Sequence, residues 1–403
     1  MTDALLRHGE WVRPAESPDL PEALRGTSAF APRPLPADVV LPSVVSRTAA
    51  EAEHALGRLT EAVRRLSVPL FTFCTRVRDA QSSAGLAGSS VELVEAFLLA
   101  QGVADDDGHP VSRFVAGSAH GFDRLRAGAA LDADLLGEVS AVLTGLGPRS
   151  GEQGLRARQG WLGGPGPERA YLLTVPPGAL LRSSLDQWSL WVRSESPLPR
   201  VAKSALGHLQ IELLQPYPEA NGHVARLFSC LALHREGLLP DQVLPVSSWL
   251  DSHRDEYRAQ VRDYARGGPV EAWVEFYAAG IRDQALAQLD LVARLESVRA
   301  RHLAAVAGGP PSLRRAAAGL VLTPVTTHQR LGEDHGLSEK TTLLTARRLV
   351  ELGFLSSMDN RAYRKVFLCT EVLTLLALRY PTPPATDEFD PRPSPEQSVR
   401  VGE

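Results

Sequence analysis

Between residues 207 and 228 the chain reads GHLQIELLQPYPEANGHVARLF, the stretch that most narrows the folds open to it. A helical pattern over 199–214 cannot pass Pro216 and Pro218, which lack the amide and the space a helix interior requires. A short loop from Pro216 to Ala220 then delivers the chain to Asn221-Gly222, where a second helical pattern over 221–236 begins. The first amides of that helix have no partner within it, and the helix dipole favours an anion at that end. A loop entering a helix through Asn-Gly is therefore a phosphate cradle. Arg226, one turn on, brings a guanidinium to the same place, and Glu219 offers a carboxylate to Mg²⁺ bridging two phosphates. A plain helix corner with Asn221 as its cap is the competing reading.

The rest of the chain is mostly helical in pattern. Helices are expected at 46–66, 69–80, 89–102, 111–126, 132–146, 180–194, 251–265 and 269–304. Residues 1–45 are Pro-rich and read as an extended arm. Residues 147–178 are too rich in Gly and Pro for a helix and predict a hairpin or flap. A linker at Ala307-Gly308-Gly309-Pro310-Pro311 separates a helical domain over 46–305 from a module over 312–380. In that module two helical patterns flank Gly336-Leu337-Ser338, with Ser338 as N-cap and Glu339 opening the second helix. Leu331, Leu337, Leu343, Ala346, Leu349 and Val350 are its expected core, and LGFLSSMDNRAYRKVFLC reads as a wing hairpin. The final residues, 381–403, hold six prolines and several charges and read as disordered.

Composition bounds the function. At about 150 residues per domain, 403 residues make two or three domains. A net charge of −4 excludes a polybasic coat for nucleic acid but not a local basic patch. Residues 310–380 carry ten Lys+Arg against six Asp+Glu, so the terminal module is the basic part. Cys74, Cys230 and Cys369 form no CxxC and are odd in number, which points to a reduced, cytoplasmic protein without structural zinc. Nowhere do 18 apolar residues run together, so no membrane span is expected. Lysine is scarce beside arginine, and Ala, Gly and Pro are abundant, as in GC-rich bacterial coding.

The stretch 215–226 resembles the signature of the Fic family, H-x-F-x-(D/E)-G-N-G-R-x-x-R, whose members transfer AMP from ATP to a protein hydroxyl. Asn221, Gly222 and Arg226 match it, with Glu219 at the acidic position and Tyr217 for Phe. His208, Gln210, Ile211 and Glu212 fit what commonly precedes the motif. AFAPRPLP (29–36) is similar to the family's N-terminal arm, and residues 154–178 to its target-docking flap. SSWLDSHRDEY (247–257) is similar to the helix beside the nucleoside, with His253 for the usual Asn. The module over 312–380 resembles the winged helix-turn-helix often found at the end of such proteins. The resemblance implies a mostly α fold: a Fic (fido) helical core with a short β-hairpin flap, then a small winged-helix domain. It also implies ATP or another nucleotide, Mg²⁺ at Glu219, and a protein target at the flap.

The departures fall where the chemistry would be. Gln215 stands for the family's catalytic His and cannot serve as a general base. His223 replaces the first motif Arg, and Ala220 the first Gly. DAQSSAGLAGS (79–89) is similar to the family's inhibitory helix and keeps Ser83 and Gly88, but its Glu is Ala87. The resemblance therefore implies that Arg226 is left without its usual internal competitor. The expected function is binding of a nucleotide or phosphate-bearing ligand, with protein AMPylation lost or altered. One alternative is a repurposed transferase acting on an ionised or small-molecule substrate, with His223 as proton acceptor. Another is a DNA-binding regulator that uses Lys340, Arg347, Arg361, Arg364 and Lys365.

Overall fold

The computed structural model describes residues 8–36, 39–104, 108–146, 154–163, 167–358 and 365–377. Helices α1 (Ser43–Arg64), α2 (Val68–Leu86), α3 (Leu93–Ala100), α4 (Pro110–Arg126) and α5 (Ala133–Thr144) precede the irregular insert. Helices α6 (Ala179–Arg193), α7 (Arg200–Leu214), α8 (Asn221–Arg235), α9 (Val246–Ser252), α10 (Arg254–Ala265) and α11 (Val270–Ala305) follow it. The chain is thus mostly α, as the helical periodicity predicts. Some boundaries differ: the helix expected over 69–80 runs on to Leu86, and that over 89–102 shortens to Leu93–Ala100. The helix expected over 251–265 starts earlier and is broken at His253, whose ring stacks on Trp249 at 4.1 Å.

Helices α7 and α8 form the middle of the body. From Val224 to Leu233 every residue of α8 is buried, and so is nearly all of α7. Helices apolar on every side must be covered on every side. Gly207 makes the close approach possible: a β-carbon there would lie 2.6 Å from the Phe228 ring. Two buried polar residues of α7, Ser204 and His208, are satisfied inside. His208 bonds Ser229 and Tyr257 at 2.8 and 3.0 Å, and Ser204 bonds the Tyr277 hydroxyl at 2.9 Å.

The N-terminal arm is a structural part of the body. Strands β1 (Gly9–Val12) and β2 (Ala29–Pro32) pair antiparallel, and β2 pairs parallel with β4 (Leu172–Leu173) of the insert. Strand β3 (Trp161–Leu162) closes a four-stranded sheet in the order β1-β2-β4-β3. Phe30 is fully buried, and Gln210 and Trp191 donate to carbonyls of Arg33 and Pro36. The expected flap hairpin is thereby stitched into a sheet whose other half is the arm.

Beyond α11 come α12 (Pro311–Gly319), β5 (Val325–Thr327), α13 (His328–His335), α14 (Glu339–Glu351), β6 (Ser356–Ser357), β7 (Val366–Leu368) and α15 (Thr370–Ala377). The strands order β5-β7-β6, and Ser338 caps α14 by accepting from Thr341. Strand β5 and helix α15 are additions to the sequence reading. The expected inward set of α14 needs correction: Leu343 and Val350 are exposed, and Thr342, Thr345, Ala346 and Leu349 form the buried stripe. The stripe follows i, i+3, i+4, i+7, a register that favours the threonines because their methyls can pack inward. The terminal segment 381–403 lies outside the described residues.

Candidate functional site

The loop between α7 and α8 is bracketed by the two non-glycine residues of positive φ among those described, Gln215 at 45° and Ala220 at 61°. A left-handed residue ends α7 and another starts α8, so the chain reverses within five peptide units. Asn221 holds the turn. Its Oδ1 accepts from the Tyr217 amide at 2.8 Å and its Nδ2 donates to the Tyr217 carbonyl at 2.7 Å. The buried Tyr217 ring anchors the loop and donates to the Ala133 carbonyl. Asn221 therefore spends its side chain on the loop and presents only its amide at the helix start.

Arg156, within the flap segment 154–178, ties the insert to this turn. Its guanidinium is buried and donates to the carbonyls of Leu214, Gln215, Arg158 and Val175 and to the Thr174 hydroxyl. It caps the carbonyl end of α7, where a cation is favoured. Burial alone draws it down to about 10, so it stays charged. Its fork of donors matches several carbonyls at once.

The loop, the insert, α2, α4, α5 and α10 enclose a cleft of about 410 Å³. Glu212, Gln215, Glu219, Ala220, Asn221, Gly222, His223 and Arg226 line it, as do Ala87, Arg113, Trp161, Tyr171, Tyr257 and Arg258. The predicted motif residues are thus brought together around one cavity, with Ala87 on its wall. Gln215 folds back, its Nε2 donating to the Glu212 carbonyl at 2.9 Å. Glu219 is exposed at the rim. A β-carbon on Gly222 would come within 2.9 Å of Arg226 Nη1, so only glycine leaves that guanidinium edge in place over the helix start.

Two expectations are corrected here. Arg226 is not left unpaired: its Nε donates to Ser83 Oγ at 2.8 Å and its Nη2 to the Ser83 carbonyl at 3.2 Å. The inhibitory helix has lost its Glu, but a hydroxyl four residues earlier holds the same arginine from α2. Burial lowers Arg226 while Tyr257, Glu212, Asp79 and Asp251 draw it back up. His223 is not placed as a proton acceptor either. Ser83 Oγ, already accepting from Arg226, donates to His223 Nδ1 at 2.7 Å, and Arg226 Nη2 approaches that nitrogen at 3.3 Å. The ring proton is then on Nε2, and burial with the adjacent Arg226 pushes the imidazole down to about 3.

Asp79 fixes α2 against the start of α9 and the segment before it. Its carboxylate accepts from the Ser247 amide and the Gln242 side chain, both at 2.6 Å, and burial lifts it to about 6. At the flap, β4 offers no open edge to a docking peptide, because it is paired on both sides by β2 and β3. The sheet's edge on that side is β3, whose Trp161 lines the cleft.

Three of the candidate DNA contacts, Lys340, Arg347 and Lys365, lie among the described residues. Lys340 is exposed in the first turn of α14, and Lys365 precedes β7. Arg347 and Arg348 are both paired with Glu351, at 3.2 and 3.0 Å. Arg361 and Arg364 lie outside the described residues. No helix described is long and apolar enough to cross a membrane.

No family model matches the sequence. Among solved structures, the chain is similar to a Fic family protein from Desulfovibrio desulfuricans G20, with a TM-score of 0.54 and 17% identity. That match covers 83% of this chain and 98% of the other. Fic-1 from C. elegans follows at a TM-score of 0.47 and 17% identity, over 62% of this chain and 74% of that one. A Fic domain containing signaling protein from Bacteroides thetaiotaomicron gives 0.43 and 14%, over 61% and 97%. A helical body with a short strand insert beside a helix N-terminus places the chain among mostly α proteins. Within that class, the chain has the Fic fold.

Proposed function

We propose that the cleft binds a nucleotide or similar phosphate-bearing ligand, and that the His-dependent transfer of AMP to protein is lost or altered. The observation that carries this reading is the start of α8. The amides of its first turn have no acceptor in their own helix, and Arg226 Nη1 stands over Gly222, which keeps the approach open. The cleft's volume is in the range of small-molecule sites. ATP fits this donor set at its phosphates. Glu219 would hold Mg²⁺ through one carboxylate, since that ion takes its remaining ligands from phosphates and water; bound there, the metal would neutralise phosphate charge. Among the described residues no group of three acidic, His or Cys side chains could hold a metal without such help. Gln215 has no titrating group, so the family's base is missing from its place.

Titration calorimetry with ATP and Mg²⁺ tests the reading. Gly222→Ala would push a methyl against Arg226 and weaken affinity by about tenfold or more, equivalent to about 1.4 kcal/mol. Arg226→Ala should weaken it further. Absence of binding by the natural chain would end the proposal.

A target peptide at the flap would add at β3, the sheet edge that the flap supplies. The regulator reading is less well supported. Arg347 of its set and the neighbouring Arg348 are engaged with Glu351, and α14 turns Leu343 and Leu344 outward beside them. Three buried free cysteines accord with a reducing, cytoplasmic setting.

A further inference from the structure

Glu212 sits one turn before Gln215 on α7 and lines the same cleft, yet it is only 8% exposed. Its Oε2 is buried and makes no hydrogen bond among the described residues. A carboxylate oxygen so placed is costly unless something entering the cleft completes it. The other titratable groups on the wall are poorly suited to receive a proton. His223 has its Nδ1 occupied by Ser83 and Arg226. The phenols of Tyr171 and Tyr257 are held protonated by burial. Glu219 stands at the rim in solvent.

We propose that Glu212 is the proton acceptor of this cleft, taking over from the position that Gln215 vacates. The proposal rests on the nucleotide reading above and names the chemistry: transfer of a nucleotidyl group to a hydroxyl-bearing acceptor. The acceptor oxygen forms a bond to the α-phosphorus of a nucleoside triphosphate. The bond from that phosphorus to its bridging oxygen breaks, and pyrophosphate leaves with the electron pair. The acceptor's proton passes to Glu212 and from there to solvent after release. Burial raises Glu212 above the usual carboxylate range, while Arg226 from α8 and Tyr257 from α10 oppose the rise. Tyr171 beside the flap also faces it. A base of raised pKa is the stronger proton acceptor once ionised.

The test uses the full chain with ATP labelled at the α-phosphate and Mg²⁺, with water and the chain's own hydroxyls as acceptors. AMP release and label on the chain are followed together. Glu212→Gln should lower the rate about 10²-fold or more at unchanged ATP affinity. Formate should restore a Glu212→Ala variant, and the natural chain's rate should climb with pH through an acid limb that Glu212→Gln lacks. A Glu212→Gln rate within threefold of the natural chain overturns the proposal. So does a natural chain that binds ATP in the calorimeter but yields neither AMP nor label. Failure to bind ATP at all removes the cleft reading itself, a result the calorimeter registers separately.

Discussion

Ala220 occupies a left-handed backbone, φ 61°, where a β-carbon costs about 1–2 kcal/mol and glycine costs nothing sterically. Glycine would in turn lose about 0.4–1 kcal/mol of stability through the freer unfolded chain. The difference favours Ala220→Gly by about 0–1.6 kcal/mol, which urea denaturation should register as a higher midpoint at constant slope. A larger pH effect resides in His208, which burial pushes down to about 3. Its unfolded counterpart titrates near 6.5, so between those values the unfolded state binds the extra proton. Stability from this group is whole above pH 6.5 and drains as pH falls towards the folded value. From pH 7 to pH 5 the loss is about 2 kcal/mol. Asp79, lifted to about 6, works in the opposite direction: its protonated folded form gains below pH 6. The whole protein therefore shows a muted slope, and the His208 part is isolated by comparison with Asp79→Asn and His208→Gln. If His208→Gln loses as much stability as the natural chain over that interval, the imidazole is not held neutral. None of this was visible in the sequence, where His208 was noted only for its place ahead of the motif. Its partners Ser229 and Tyr257 lie 21 and 49 residues away.

Among the elements, α7 and α8 were legible because prolines and an Asn-Gly pair punctuate an otherwise helical pattern. The flap was legible as non-helical text, but its partner was not. Parallel pairing between β2 and β4 joins residues separated by more than a hundred positions, and no local signal encodes it. The inhibitory helix shows the same divide. Ala87 was readable as a lost carboxylate, whereas Ser83 as the substitute partner depends on how α2 and α8 pack. Arg156 is the element-scale junction, and its bonds to Thr174, Val175 and Leu214 are buried. Arg156→Lys keeps the charge but cannot reach carbonyls of α7 and of the insert together. Leaving such carbonyls unpaired costs about 1–3 kcal/mol each where water cannot enter. Amide exchange should therefore quicken at Leu162 and Tyr171, while α8 amides remain slow. Equal protection in both variants would show that the sheet, and not Arg156, holds the flap.

At the scale of the whole molecule, the Gly308-Gly309-Pro310 break reads as a linker, but one apolar core passes through it. Leu295, Val298 and Val306 belong to the same buried cluster as Leu313, Leu320, Val325 and Leu376. Polar contacts cross as well: Cys74 Sγ donates to the Leu322 carbonyl at 3.1 Å and Gln101 to the Val325 carbonyl at 3.0 Å. His302 of α11 stacks on Phe354 at 4.1 Å, and Arg301 pairs with Glu371. A tethered domain would show instead a wet, polar junction. Composition could mark the break because Gly and Pro act locally, but not the continuity, which arises from side chains meeting across it. The terminal module should then unfold together with the body. Scanning calorimetry of the full chain is expected to give one transition with equal calorimetric and van't Hoff enthalpies. A chain ended at Val306 would expose the Val298 and His302 face and should lose several kcal/mol or aggregate, since single buried aliphatic contacts are worth about 1.5–3 kcal/mol each. Two separated transitions, or a shortened chain as stable as the whole, would mean the module is merely appended; its arginines would then be free to serve a partner independently of the cleft.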